Sequence, residues 1–332
     1  MTYKFIDLFC GIGGFRLALE KLGCECVFSS EIDEHSREMY KENFGEYPKG
    51  DITKIETKDI PDFDILCAGF PCQPFSSAGK RMGFLDTRGT LFFEIERILK
   101  DKKPKMFILE NVKGLLTHNN GDTFKTIVAK LESLGYNISY SVFNSKDFGV
   151  PQSRERIIIV GNLSKGVDLK DVKLTPINSM QNFLLYNDID NNIIIDKEKY
   201  TLIDKKQINK QKSGLIFVGY MNKNIRKNGV LPNTMHLSRV HRQCNRIYST
   251  SGLCPTLTSG ETSGRYYIYD EIKNIVRKLT IDECYCFMGF PKDFVKVGSK
   301  TNLYKRIGNS VCVNMIYEIC KIMIEKENLK YE

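Results

Sequence analysis

The sequence predicts an α/β protein: a doubly wound, mostly parallel sheet joined to a smaller, irregular, β-rich domain. Three observations predict it. Over the first 160 residues, short apolar runs alternate with amphipathic stretches, the signature of repeated βα units. After Gly161 the alternation stops, and Asn, Asp, Lys and Ile dominate. Finally, residues 205–260 hold ten Lys and Arg and no Asp or Glu, so nearly all of the net charge of +9 sits in one segment.

The elements follow in order. Phe5-Ile6-Asp7-Leu8-Phe9 is read as a first strand and Cys10–Gly14 as a tight turn. A helix is expected from Phe15 to Leu22, stopped by Gly23. Cys26–Ser30 is a second strand, Ser36–Asn43 a helix, and Gly50-Asp51-Ile52 the end of a third strand. Ile65–Phe70 and Met106–Leu109 read as buried strands, and Thr123–Leu134 as a helix ended by Gly135. Tyr140–Phe143 and Arg156–Val160 leave no room for a helix between them, so they are expected to pair antiparallel. Val276–Leu279 and Asp282–Phe287 return to a helical pattern, and Val313–Lys326 is an amphipathic last helix. The expected division is residues 1–175, 176–262 and 263–332, the last a segment returning to the first domain.

Composition narrows the function. At 332 residues, 42% hydrophobic and 27% charged, the chain has the profile of an ordinary globular protein. No apolar run approaches the roughly 20 residues of a membrane span. The opening Met1-Thr2-Tyr3-Lys4 has no signal-peptide pattern, so a cytoplasmic protein that does not bind membranes is expected. Eleven cysteines are too dilute for a disulfide scaffold, and with four histidines and no C-x-x-C pair no metal site is expected. The basic segment has the footprint of a polyanion-binding face; the bland alternative is a solvated lysine-rich loop.

Two motifs carry chemistry. Pro71-Cys72-Gln73 ends the apolar run Phe63–Phe70 and opens a glycine-punctuated loop. A thiol at the carboxyl end of a strand is where a nucleophile sits in an open α/β sheet. Asp7–Gly14 joins strand to helix through glycines that let a ligand approach the backbone. It is not the G-x-G-x-x-G fingerprint, which argues against a dehydrogenase. Glu31, 20 residues after Gly11, can accept both ribose hydroxyls, and Asp51 can accept from the adenine amino group. A nucleoside held by carboxylates without a pyrophosphate cradle suits S-adenosylmethionine better than NAD. Alone, each carboxylate is as readily a simple cap at a strand end.

In this order the motifs resemble the DNA (cytosine-5)-methyltransferases, particularly the compact bacterial kind of restriction–modification systems. The resemblance rests on Asp7–Phe15, Pro71-Cys72-Gln73 with Asp86–Phe92, Glu110-Asn111-Val112, Gln152-Ser153-Arg154-Glu155-Arg156, Arg246–Thr250 with Pro255-Thr256-Leu257, and Gly308-Asn309-Ser310-Val311. It covers nearly the whole chain except about residues 165–235. It implies the S-adenosylmethionine-dependent methyltransferase fold. Cys72 becomes the nucleophile that adds to carbon 6 of cytosine, Glu110 shares a proton with N3, and Arg156 and Arg154 hold O2 and a phosphate. It implies cofactor contacts at Phe9, Gly11, Gly13, Glu31, Ile32, Asp51, Ile52, Leu91, Asn309 and Val311, with S-adenosylhomocysteine as product.

Cytosine in a duplex must be flipped out to be reached, at a cost of a few kcal/mol. The loop from Phe75 to Arg88 is expected to close on it, with Ser76, Lys80 and Arg88 touching DNA. In the basic segment Arg226, Arg239, Arg242, Gln243 and Arg246 are candidate DNA contacts. Double-stranded DNA is therefore the expected partner of a monomer paired in function with a restriction endonuclease and associated with the nucleoid. The alternatives are a tRNA cytosine-5 methyltransferase and a non-catalytic DNA-binding protein.

Overall fold

The structure is a computed structural model and describes residues 2–70, 90–185, 189–223, 231 and 233–328. Pro71-Cys72-Gln73, Ser76, Lys80, Arg88 and Arg226 lie outside the described residues. The chain forms two units. Met1–Asn144, Glu155–Leu174 and Ser310–Glu332 make the first, and Ser145–Arg154 with Thr175–Asn309 the second.

The first unit is built on a six-stranded sheet. Its strands are β1 (Lys4–Leu8), β2 (Glu25–Ser30), β3 (Ile65–Gly69), β4 (Met106–Val112), β5 (Asn137–Asn144) and β6 (Glu155–Asn162), in the order β2-β1-β3-β4-β6-β5. β2, β1, β3 and β4 run parallel, and β6 lies antiparallel between β4 and β5. Ile65–Ala68, Met106–Leu109 and Ile157–Val160 are 0–1% exposed, because helices cover both faces of a parallel sheet. That burial is why these segments read as unbroken apolar runs rather than alternating ones. The expected third strand is only a bridge between Ser30 and Lys49, followed by a single turn of 3-10 helix at Ile52–Lys54. Asp51 caps that turn by accepting from Thr53 N–H, and a residue spent on a cap cannot extend a ladder.

Helices α1 (Gly14–Glu20), α2 (Glu34–Phe44), α3 (Thr90–Lys102) and α4 (Asp122–Ser133) connect the strands. Asp33 starts α2 by accepting from Ser36 N–H at 3.1 Å, and Gly45, at φ 70°, ends it. Arg16 ties α1 to the end of α2. Its side chain is 11% exposed, reaches Glu20 and Glu46 at 2.7 Å each, and lies 4.7 Å over the Phe44 ring.

The last helix, Val313–Asn328, belongs to this unit. Buried Glu327 accepts from Asn162 Nδ2 at 3.0 Å and Ser164 Oγ at 2.7 Å, and Tyr3 donates to Asn328 at 2.8 Å. By length and composition the stretch Lys300–Asn328 is apolar enough to cross a membrane. It is broken at residues 310–312, and 67% of its apolar window is buried inside the protein, as in a core helix.

The second unit carries β7 (Tyr200–Leu202), β8 (Phe217–Met221), β9 (Arg246–Ser249), β10 (Tyr267–Asp270) and β11 (Ile275–Lys278), ordered β11-β10-β9-β8-β7. Val276–Leu279, expected to be helical, instead falls largely in the strand Ile275–Lys278: its β-branched start pairs antiparallel with β10, and four residues are too few to fix a period. Because β10 and β11 extend the sheet from β9, residues 263–309 group with this unit, and the chain rejoins the first only from Ser310. Arg277 is fully buried, bonded to Glu283 by two 2.8 Å contacts and 3.5 Å from Asp270. Two further helices, α5 (Ile281–Cys286) and α6 (Lys300–Asn309), complete it.

His241 is buried in this unit between aromatic rings, with Tyr220 at 4.2 Å and Phe217 at 5.5 Å. Desolvation pushes its pKa below the ordinary 6.5, against the bond to the Met235 carbonyl. Below 6.5 the unfolded chain therefore takes up the proton first, and stability falls as pH drops. Thermal unfolding compared at about pH 7 and about pH 5 should show a loss on acidification that is smaller in His241→Gln. Equal losses in both proteins would exclude His241 as a contributor.

Candidate active site

The connections reverse direction between β1 and β3. From β1 the chain winds outward to β2, and from β3 it winds the other way to β4. At such a point the carboxyl ends of the strands open a crevice that no crossover helix covers, and ligands bind there. The glycine turn leaves one of these strands, and the segment leading to Cys72 leaves the other.

The turn is held open by backbone conformation. Phe9 has φ 54°, unusual for a bulky residue, and Gly11 and Gly13 have φ 53° and 88°. A side chain added at Gly11 would meet nothing within 4 Å, so the turn faces free space. Glu31 lies under it and accepts from Gly11 N–H at 2.9 Å and Asp33 N–H at 2.8 Å. Burial raises its pKa, and these donors pull it back down. Beside it Ile32 is 73% exposed, an apolar surface with no protein cover. Asp51 uses Oδ1 on Thr53, and Oδ2 has no partner among the described residues. Ile52, by contrast, is 2% exposed and packs into the core, so it can offer a ligand its backbone but not its side chain. Leu91, in the first turn of α3, is partly buried against the same core.

The tail completes this corner. A methyl on Gly14 would lie 2.7 Å from Val311 Cγ2 and 3.0 Å from Ser310 Oγ, so Gly14 is small because the returning chain packs on it. Asn309, by contrast, is exposed and ends the second unit, leaving Val311 as the expected tail contact placed at the turn.

At the exit of β3, the space above Gly69 is bounded by Phe15 and Val311 at 3.7 Å and by Glu110 Oε2 at 3.9 Å. Glu110 lies inside β4, opposite Gly69, and not after the strand end as the sequence suggested. Val112 pairs with Arg156 across β4 and β6, which makes Glu110 and Arg156 diagonal neighbours. Arg156 Nε lies 2.9 Å from Glu110 Oε1, with side chains 12% and 11% exposed. Asn111, 3% exposed, donates to the Phe70 carbonyl at 3.0 Å and so fixes the residue from which the chain runs to Pro71.

Arg154 departs from expectation. It is 2% exposed, and its guanidinium donates to the carbonyls of Leu257 at 2.8 Å and Gly308 at 3.2 Å, all within the second unit. Gln152 is fully buried there too, bonded to Phe287 O and Leu257 N at 3.0 Å each. Of the Gln-x-Arg-x-Arg element only Arg156 faces the carboxylate, and the other two organise the second unit.

A family model described as "C-5 cytosine-specific DNA methylase" matches residues 3–325. The chain belongs to this family. It is 44% identical to Type II methyltransferase M.HaeII of Haemophilus aegyptius over 329 residues, covering 98% of this chain and 94% of that one. It is 40% identical over 325 residues to Type II methyltransferase M.HhaI of Haemophilus parahaemolyticus, covering 95% and 92%. Among solved structures, the S. pombe Dnmt2 methyltransferase matches the fold with a TM-score of 0.72 at 20% identity, covering 98% of this chain and 99% of that chain.

In this methylase, Arg239, Arg242 and Gln243 are exposed on the second unit, as DNA contacts must be. Arg246 is half-buried and held by His241 O and Gln243 Oε1, at 3.0 Å each. Sequence reasoning passed over Glu261 and Arg265, opposite charges four residues apart outside any helix, a spacing that gives no local signal.

Gly14→Ala should lower stability by about 1–3 kcal/mol through overpacking. Adding Val311→Ala should recover part of that loss, read as non-additivity in denaturant midpoints. Simple addition of the two losses would mean that the returning tail does not press on the turn.

Proposed function

We propose that this methylase transfers a methyl group from S-adenosylmethionine to carbon 5 of a cytosine flipped out of duplex DNA at a specific sequence, through a covalent Cys72–C6 adduct. The observation that carries the proposal is the adjacency of β1 and β3 at the reversal: the open glycine turn leaves β1, and Glu110, paired with Arg156, borders Gly69 at the exit of β3. The relatives' naming as Type II methyltransferases favours DNA over tRNA, and favours an enzyme over a binding module.

The residues at the turn fit the cofactor. The open face of Gly11 leaves room for a ligand at the backbone, Glu31 would accept from the ribose hydroxyls, and Asp51 Oδ2, without a partner among the described residues, and Ile52 N–H would meet adenine. Phe9, Ile32, Leu91 and Val311 would supply apolar cover. When bound, S-adenosylmethionine supplies an already activated methyl group, so the protein has mainly to align it.

Carbon 5 of cytosine is too weak a nucleophile until the ring is made an enamine. The Cys72 thiolate adds to carbon 6 and pushes charge toward N3 and O2. Glu110 shares a proton with N3, and Arg156, already held against that carboxylate, steadies O2. After methylation a water or hydroxide removes the carbon-5 proton and the Cys72 sulfur leaves by elimination. Ser76, Lys80, Arg88, Arg226, Arg239, Arg242, Gln243 and Arg246 are the proposed DNA contacts. The enzyme would act as a cytoplasmic monomer at the nucleoid, protecting sites from a restriction endonuclease.

The test is transfer of labelled methyl from S-adenosylmethionine to mixed-sequence duplex DNA and, separately, to tRNA. Label should appear on DNA as 5-methylcytosine and be abolished in Cys72→Ala, with cofactor binding kept. Turnover by that variant would overturn the adduct, and label on tRNA alone would overturn the substrate. Glu110→Gln should slow transfer by about 10²-fold or more; an unchanged rate would remove Glu110 from the chemistry.

A further inference from the structure

Within the second unit, a cavity of about 270 Å³ is lined by Gln243, Arg246, Tyr248, Thr258, Glu261 and Arg265, among others. Its lining includes an arginine braced by a buried carboxylate. The Glu261 side chain is 10% exposed, and that of Arg265 is 42% exposed. Glu261 Oε1 accepts from the backbone N–H groups of Ser263 and Arg265 at 3.1 and 3.2 Å, which pins the carboxylate. Both its oxygens lie 3.1 Å from Arg265 Nε, and Oε2 lies 3.0 Å from an Arg265 terminal nitrogen.

That bracing uses one edge of a planar guanidinium. The remaining N–H groups on the two terminal nitrogens have no partner among the described residues. We propose that Arg265, oriented by Glu261, reads a guanine base edge through those donors, making this cavity a determinant of target sequence. This rests on the DNA methylation proposed above.

Guanine is the ligand that the chemistry selects. Its O6 and N7 are paired neutral acceptors that match two parallel N–H groups in the major groove. A phosphate would be recruited by uncompensated positive charge, and Glu261 cancels that of Arg265. The cations without a carboxylate partner are Arg246 on the same cavity, held by the neutral His241 O and Gln243 Oε1, and the exposed Arg239 and Arg242, so phosphate attraction falls to them and not to Arg265. Orientation also matters: an unbraced arginine loses side-chain freedom on binding, whereas this one has been ordered by its own fold.

The experiment expresses the full-length enzyme in a bacterial host lacking other cytosine-5 methylation and maps 5-methylcytosine by sequencing. Wild type, Arg265→Lys, Arg265→Ala and Glu261→Gln are compared. The wild type should yield a motif containing guanine. Arg265→Lys keeps the charge but not the fork, and should lose discrimination at one guanine position by on the order of tenfold, with the other positions intact. Glu261→Gln should relax the same position. An unchanged motif in Arg265→Lys and Arg265→Ala, with activity lowered evenly across all sites, would overturn base reading and make Arg265 a phosphate contact. Should Arg265→Ala fail to fold, Arg265→Lys decides alone. A wild type that methylates no DNA would bring down the underlying function itself, a result distinct from an unchanged motif.

Discussion

The chemistry of this protein depends on the reversal of strand connections between β1 and β3. Adjacent parallel strands lie about 4.8 Å apart. Two segments leaving their carboxyl ends therefore start side by side, whatever their sequences. Because the chain departs in opposite directions from the two strands, no crossover helix among the described residues runs above them. The sheet thus delivers the glycine turn and the chain leading to Cys72 to neighbouring strand ends before any side chain contributes. Side chains then refine what topology has placed.

That refinement is visible in β4. Successive strand residues face opposite sides, so neighbours in sequence can serve different purposes. Glu110 meets Arg156 from β6, while Asn111 holds the Phe70 carbonyl at the end of β3. An ion pair this little exposed gains less from attraction than it loses in desolvation unless its geometry is good. Its effect is positional: a carboxylate and a guanidinium are held in a fixed orientation to each other beside the exit of β3. The tail acts in the same spirit. Ser310 and Val311 pack where Gly14 leaves room, so the chain's last segment helps shape its first turn.

Much of the site was legible because chemistry constrains residue type at short range. The glycine turn, Glu31 at the end of β2, Glu110 and Arg156 all occupy strand ends or strands that apolar runs marked out. The failures share a cause. Arg154 and Arg156 are identical residues two apart, and only the fold sends one guanidinium to buried carbonyls and the other to a carboxylate. Asp51 was expected to end a strand that proved to be a single bridge. Ile275–Lys278 was too short to reveal its period, and its partner β10 is what makes it a strand. Glu261 and Arg265 escaped because a pair four residues apart outside a helix predicts nothing until their turn is seen.

By itself the sequence determined the fold class, the order of the motifs and the candidates for the reacting groups. Those depend on local patterns of burial, on glycine where backbone must turn or be approached, and on which side chains can add to or protonate a pyrimidine. Only the tertiary structure decided which arginine meets Glu110, where residues 263–309 belong, and how the tail reaches the first turn. Those are contacts between residues distant in the chain, and long-range packing selects them without leaving a local trace.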